Sequence, residues 1–247
     1  MKIETLANPP IREAIFTIVY KNEVRLNVLQ AFSDLKSIRD IYRNRKNNLV
    51  VEHQIQRKNK KGTAETNLNI QELQDGYILQ PSDSNPEKII QARKELFSFH
   101  KIKGYSNWET LLEEFESVVR ELIKASIEPI HVKEISVRYI NHLPFDATWN
   151  LREYFNLLPA AIEGIPNNIK SLFLQVGTTR NELDAIITEA IIKVGQELKF
   201  VIDLKVSKQL DISLDDASLW DSFNEIREFK NDLFFSMITD KTKNLFQ

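Results

Sequence analysis

The sequence predicts an α+β protein of two related β-α-β-β-β-α halves, each an antiparallel sheet packed on a long amphipathic helix. Three observations predict it. The strand opening Pro10-Ile11-Arg12-Glu13-Ala14-Ile15-Phe16-Thr17-Ile18 has an echo 121 residues later, Lys133-Glu134-Ile135-Ser136-Val137-Arg138-Tyr139 behind Pro129-Ile130. Ala14, Phe16 and Ile18 match Ile135, Val137 and Tyr139 in parity, and a one-residue slip would move every side chain to the other face. Two long helical stripes, opening Ser106-Asn107-Trp108-Glu109 and Ser218-Leu219-Trp220-Asp221, close the halves, expected over 1–127 and 128–247.

Each element follows from local pattern. After the first strand, Val24, Leu26, Val28, Leu29, Phe32 and Leu35 predict a helix running towards Ile41. Strands are expected over Leu49–Ile55, Glu65–Glu72 and Tyr77–Gln80, with turns at Lys58–Gly62 and Asp75-Gly76, since Asp-Gly between alternating runs signals a hairpin. Lys88–Lys101 is ambiguous by period, and its Leu96–Phe99 core favours a strand. Trp108, Leu111, Leu112, Phe115, Val118, Val119, Leu122 and Ile123 form a 3.6-residue stripe, with Ser106 and Glu109 as a capping box and Pro129 beyond its exit. The second half repeats the order. A strand over His131–His142 leads to a short helix over Leu151–Leu158. Strands then follow over Leu172–Val176, Glu182–Val194 and Glu197–Ser207, with Gly177 and Gly195 in connections, before a helix over Ser218–Thr239. No low-complexity linker divides the halves, so their sheets join or pack face to face.

At 247 residues, 42% hydrophobic and 28% charged, the composition is that of an ordinary globular chain. No apolar run approaches the roughly 20 residues that cross a bilayer, and the start has no apolar signal region, so a soluble cytoplasmic protein without membrane contact is expected. The absence of cysteine excludes disulfides and thiolate metal sites. The net charge of −2 hides a polarity. From Lys36 to Lys61, nine basic residues face only Asp40 and Glu52, whereas Gln209–Phe235 holds seven carboxylates against Arg227 and Lys230.

Asn8-Pro9-Pro10-Ile11-x-Glu13-Ala14, Tyr105-x-x-Trp108-Glu109 and Arg138-Tyr139-Ile140-Asn141 resemble, in order, the motifs of a sporadically distributed, uncharacterised prokaryotic protein family of about this length. The resemblance spans most of the chain. It implies an accessory or partner protein with the patchy occurrence of mobile defence or conflict loci, acting with another protein of the same locus. It supplies no catalytic residues.

The residues add little catalytic chemistry. The four histidines, His53, His100, His131 and His142, lack metal-ligand spacing. There is no G-x-S-x-G elbow, and six unclustered glycines form neither a phosphate loop nor a dinucleotide fingerprint. No catalytic residue, metal or cofactor is therefore assigned. Glu13 and Glu134, at equivalent places in the two halves, suit an acid/base or cation-binding pair of a hydrolase seated between the halves. The structural alternative pairs each with Arg12, Lys133 or Arg138. On their strand, Tyr139 and Asn141 share one face and Arg138 the other. Tyr139 is expected in the core and Asn141 at a turn before Pro144, with a ligand or interface role as the alternative for Arg138, Tyr139 and Asn141. The basic stretch offers Arg39, Arg43, Arg45, Lys46, Arg57, Lys58, Lys60 and Lys61 to a nucleic-acid phosphate backbone, without any module that reads bases. The leading functional reading is a non-enzymatic partner subunit; backbone binding of nucleic acid and the hydrolase are the alternatives.

Overall fold

The computed structural model describes residues 5–60, 63–82, 84–158, 169 and 171–247, with backbone only from 53 to 70. Nine strands carry the architecture: β1 (Ile11–Tyr20), β2 (Asn44–Lys60), β3 (Thr63–Gln80), β4 (Lys88–Arg93), β5 (Leu96–Lys101), β6 (His131–Pro144), β7 (Phe173–Arg180), β8 (Leu183–Val194) and β9 (Glu197–Ser213). They form one antiparallel sheet in the order β2-β3-β4-β5-β1-β6-β9-β8-β7. Among the described residues, the α-helices are α1 (Leu26–Asp34), α2 (Lys36–Ile41), α3 (Trp108–Ala125), α4 (Ser218–Met237) and α5 (Asp240–Lys243). None is long and apolar enough to cross a membrane.

The expected halves thus share one sheet, joined where β1 pairs with β6. Alternation sets its two faces. Ala14, Phe16 and Ile18 of β1, Ile135, Val137 and Tyr139 of β6, and Phe200, Ile202, Leu204 and Val206 of β9 are buried on one face. Helices cover it. Phe16 is the meeting point: its ring lies 5.1 Å from Trp108, 5.2 Å from Phe115 on α3 and 5.6 Å from Phe223 on α4. Aromatic contacts at such spacing add roughly 0.5–1.5 kcal/mol each beyond their buried area. The other face carries cross-strand ion pairs, as in an antiparallel sheet with one solvated side. Its pairs include His100 with Glu13 and Arg138 with Asp203.

Several local expectations are corrected by tertiary context. The helix towards Ile41 breaks at Leu35, whose ψ of 135° divides α1 from α2. Asp75-Gly76 is not a turn: β3 runs through it, with a register shift opposite Asn48 and Leu49. Gly76 answers a close approach instead, since a Cβ there would meet the Ala92 carbonyl oxygen at 2.0 Å. Asp75 takes an ion pair from Arg93 at 2.5 Å. Lys88–Lys101 is two strands rather than one. The cap of α3 is Asn107, accepting from the Thr110 amide at 2.8 Å, and not Ser106. The predicted Leu151–Leu158 helix is only a single 3-10 turn, Leu151–Glu153. Gly177 lies within β7, whereas Gly195 sits in the β8–β9 turn with φ +63°. Trp108 is 3% exposed, but Trp220 is half-buried and Leu219 beside it takes the core position.

Candidate functional site

A cavity of about 320 Å³ opens where five parts of the chain meet: the segment before β1, the turn into α3, β6, β9 and α4. The amino-terminal segment is held there by two backbone hydrogen bonds, from the Asn8 amide to the Phe246 carbonyl and from the His142 amide to the Pro10 carbonyl, each 2.9 Å. The walls are apolar and aromatic, with a few convergent polar groups, the make-up typical of small-molecule sites.

On the sheet side stand Tyr139 and Asn141. Tyr139 is 3% exposed; its hydroxyl donates to that of Tyr105 at 3.4 Å, and the two rings meet edge to face at 5.7 Å. Burial raises both phenols above their usual range, so both remain protonated. Asn141 is also buried, within β6 rather than at a turn. Its amide donates to the Ile202 carbonyl at 3.0 Å and more weakly to that of Tyr139 at 3.4 Å. On the α3 side, the Trp108 indole donates to Asn224 at 3.0 Å and packs under the Arg227 guanidinium at 5.5 Å. Arg227 is already paired, with Glu109 at 2.8 Å.

Lys230 of α4 completes the wall. It is 6% exposed, its Nζ lies 3.9 Å from the centre of the Tyr139 ring, and it donates to Asn231 at 2.7 Å. No carboxylate among the described residues pairs with it. Burial, with Arg227 adding to it, pushes the Lys230 ammonium down to about 7. The face of Tyr139 attracts the cation without neutralising it.

Of the candidate ligand, interface and nucleic-acid residues, Tyr139 and Asn141 line this cavity, beside the motif residues Pro9, Pro10, Ile11, Tyr105, Trp108 and Glu109. Glu13 is on the opposite face of the sheet, hydrogen-bonded to His100 at 2.8 Å, and this bond holds its carboxyl below the usual range. Glu134 accepts from Gln209 at 2.7 Å and lies 3.6 Å from Lys205. Glu13 pairs in register with Ile140 and Glu134 with Val19, six positions along β1, which separates the carboxylates by roughly 20 Å. They do not form a shared acid/base site; of the expected partners, Arg138 and Arg12 act on Glu13 as nearby positive charges, after the His100 bond. Arg138 forks onto Asp203, its Nε donating at 2.8 Å, on the solvated face. Among the described residues, no group of three or more histidines and carboxylates is placed to hold a metal.

Arg45 is tied to Asp34 at 2.7 Å and stacks over Tyr77 at 5.2 Å, and Arg43 reaches the Asp40 carbonyl at 3.4 Å. Arg39 and Lys46 are exposed. The side chains of Arg57, Lys58 and Lys60, and all of Lys61, lie outside the described residues.

Sequence reasoning missed Arg227 and Lys230 because they read as cations relieving an acidic helix. The available signal was spacing. Lys230 stands four residues after Ile226 and four before Phe234, on the buried stripe of α4. A second ionisable group is buried elsewhere. Glu189 of β8 faces the core between Leu174 and Ile202, 0% exposed, with neither oxygen hydrogen-bonded among the described residues. Burial pushes its carboxyl up to about 8. Against known proteins, no family model matches the chain, and no curated protein matches its sequence.

Proposed function

We propose that the protein acts by binding, receiving a small ligand in the cavity between β6, α3 and α4 and serving as a partner subunit of a prokaryotic complex. The cytoplasmic setting, and the defence or conflict role, come from the sequence and from the family resemblance. One observation carries the ligand reading: three motifs far apart in the chain contribute Pro9, Pro10 and Ile11, then Tyr105, Trp108 and Glu109, then Tyr139 and Asn141, to one cavity. Short motifs that serve only packing have no reason to converge on an opening. Native mass spectrometry of the protein purified from its own host should detect a bound small organic molecule. Leu6→Trp, which fills the mouth from a segment outside the sheet, should remove it. A wild-type protein that carries nothing and is not stabilised by any fraction of a metabolite extract sinks the reading. Co-expression with the products of neighbouring genes tests the partner role.

The halves are further inferred to be copies of one ancestral unit. From the central β1–β6 pair the order runs outward as β1-β5-β4-β3 and as β6-β9-β8-β7, and Phe16 pairs with Val137, its counterpart at the 121-residue offset. Superposing 8–125 on 129–240 should match β1 with β6 and α3 with α4; any other pairing breaks the inference.

A second reading, contact with a nucleic-acid backbone, is favoured by the β2–β3 ribbon. β4 pairs with β3 only from Gly76 to Leu79, while the β2–β3 ladder continues to Lys60 opposite Thr63. Arg57, Lys58 and Lys60 fall on its last rungs. Binding of a labelled oligonucleotide should weaken steeply with salt, and replacing these three by Ala should flatten the slope. Salt-insensitive binding ends this reading.

A further inference from the structure

We infer, on the reading that the cavity is a ligand site, that its ligand is a small aromatic monocarboxylate, with the carboxylate received by Lys230 and the ring lying against Tyr105 and Tyr139. The charge argument comes first. Two cations reach the cavity, but Glu109 already neutralises Arg227 at 2.8 Å. Lys230 is left as a buried ammonium held by a ring face and a neutral amide. A buried cation without a counter-ion is costly, and an incoming carboxylate relieves that cost. One uncompensated positive charge calls for one negative charge, which favours a carboxylate over a phosphate dianion.

Shape supplies the rest. The volume of about 320 Å³ stands at the small end of ligand pockets, which run from about 300 to 1,000 Å³. One wall is the edge-to-face pair of Tyr139 on β6 and Tyr105 in the turn into α3, and Phe234 and Leu204 add apolar surface. A single planar ring fits such a wall, since offset and edge-on ring contacts are the favoured ones.

Proton linkage follows from the same contacts. The groups facing Lys230 are Arg227 and Asn231 on its own helix, Tyr139 from β6, Tyr105 from the turn into α3, and Glu109 through Arg227. Both phenols stay protonated and Glu109 stays ionised, its carboxyl held low by a backbone hydrogen bond and then by Arg227. Lys230 is therefore the group that titrates. With its ammonium pushed down to about 7 in the empty cavity, binding of a carboxylate above that pH takes up a proton. Affinity is full below about pH 7 and falls by up to about tenfold per pH unit above it.

The test is isothermal titration of the whole protein with two pairs of probes: para-hydroxybenzoate and its methyl ester, and nicotinate and nicotinamide. The acids should bind more tightly than their neutral partners, and at least about tenfold more weakly at pH 8.5 than at pH 6.5. Their heats should vary with buffer ionisation enthalpy as proton uptake requires. Lys230→Met, with folding checked by thermal melting, should lose at least about tenfold for the acids and little for the neutral probes, and Lys230→Arg should recover part of the loss. Inorganic phosphate should not displace the acids. Equal binding of acids and neutral probes, pH-independent binding of the acids, or an unchanged affinity in Lys230→Met overturns the monocarboxylate inference while leaving the cavity reading intact. Failure of every probe to bind the folded protein overturns it as well; the cavity reading is then judged by the Leu6→Trp comparison alone.

Discussion

Lys230 and Glu189 both sit on the helix-covered side of the sheet, both are buried, and their surroundings differ in kind. Lys230 lies at the wall of a cavity, with the Tyr139 ring and the Asn231 amide around its charge. Glu189 is enclosed between neighbouring strands with no hydrogen-bond partner for either oxygen among the described residues. A buried ionisable group with an opening and oriented neighbours has the form of a recognition element. One without either survives by remaining neutral. Their linkage to pH is opposite in sign. Glu189 has its carboxyl raised to about 8, so the stability it allows is complete below about 4.5 and is lost as pH rises through 8. Lys230 has its ammonium lowered to about 7, so the stability it allows is complete above about 10.5 and is lost as pH falls through 7.

The largest expected effect removes the wall beside Lys230. Trp108→Ala deletes a buried ring that touches Phe16 and bonds Asn224, and should lower unfolding free energy by about 3–5 kcal/mol in urea titration. It should also admit water to Lys230 and flatten the stability change above pH 7. A loss under about 1 kcal/mol would show that α3 does not seal this end of the core.

Glu189→Leu sharpens the other side. The gain in stability at pH 9 should exceed that at pH 5 by about 3 kcal/mol, read from melts at both pH values. Equal gains would mean that the carboxyl finds a partner in solution. Lys230→Met should show the reverse slope and a smaller size, because the cavity lets water approach. Its gain at pH 6 should exceed that at pH 10 by about 2 kcal/mol. If the two variants respond to pH with the same sign, the contrast between the sites is broken.

Much of the fold was legible because it is written in local period. β1, β6 and the buried stripe of α3 repeat at two or 3.6 residues, and such patterns hold whatever the elements pack against. The errors share a cause. Asp75-Gly76 has the composition of a hairpin turn, and only the approach of β4 reveals Gly76 as a contact with the Ala92 carbonyl. Asn107 and Ser106 are both good caps, and the chain path into α3 chooses between them. Of the candidate ligand residues, Tyr139 and Asn141 reach the cavity because strand parity put them on the apolar face. Glu13, Glu134 and Arg138 are placed by the same parity on the solvated face, where cross-strand partners absorb their charge.

By itself the sequence determined the number and kind of most elements, the buried side of each central strand, and the three segments that later meet. These depend on neighbours a few positions apart, which any reader of the chain can count. Tertiary structure alone decided that the two halves join through β1 and β6 into one sheet, and that Lys230 faces inward with no carboxylate partner among the described residues. It also decided that Tyr105, Trp108, Tyr139 and Asn141 enclose one space with it. Those are pairings between residues tens of positions apart, fixed by which surfaces exclude water together, and no local period encodes them.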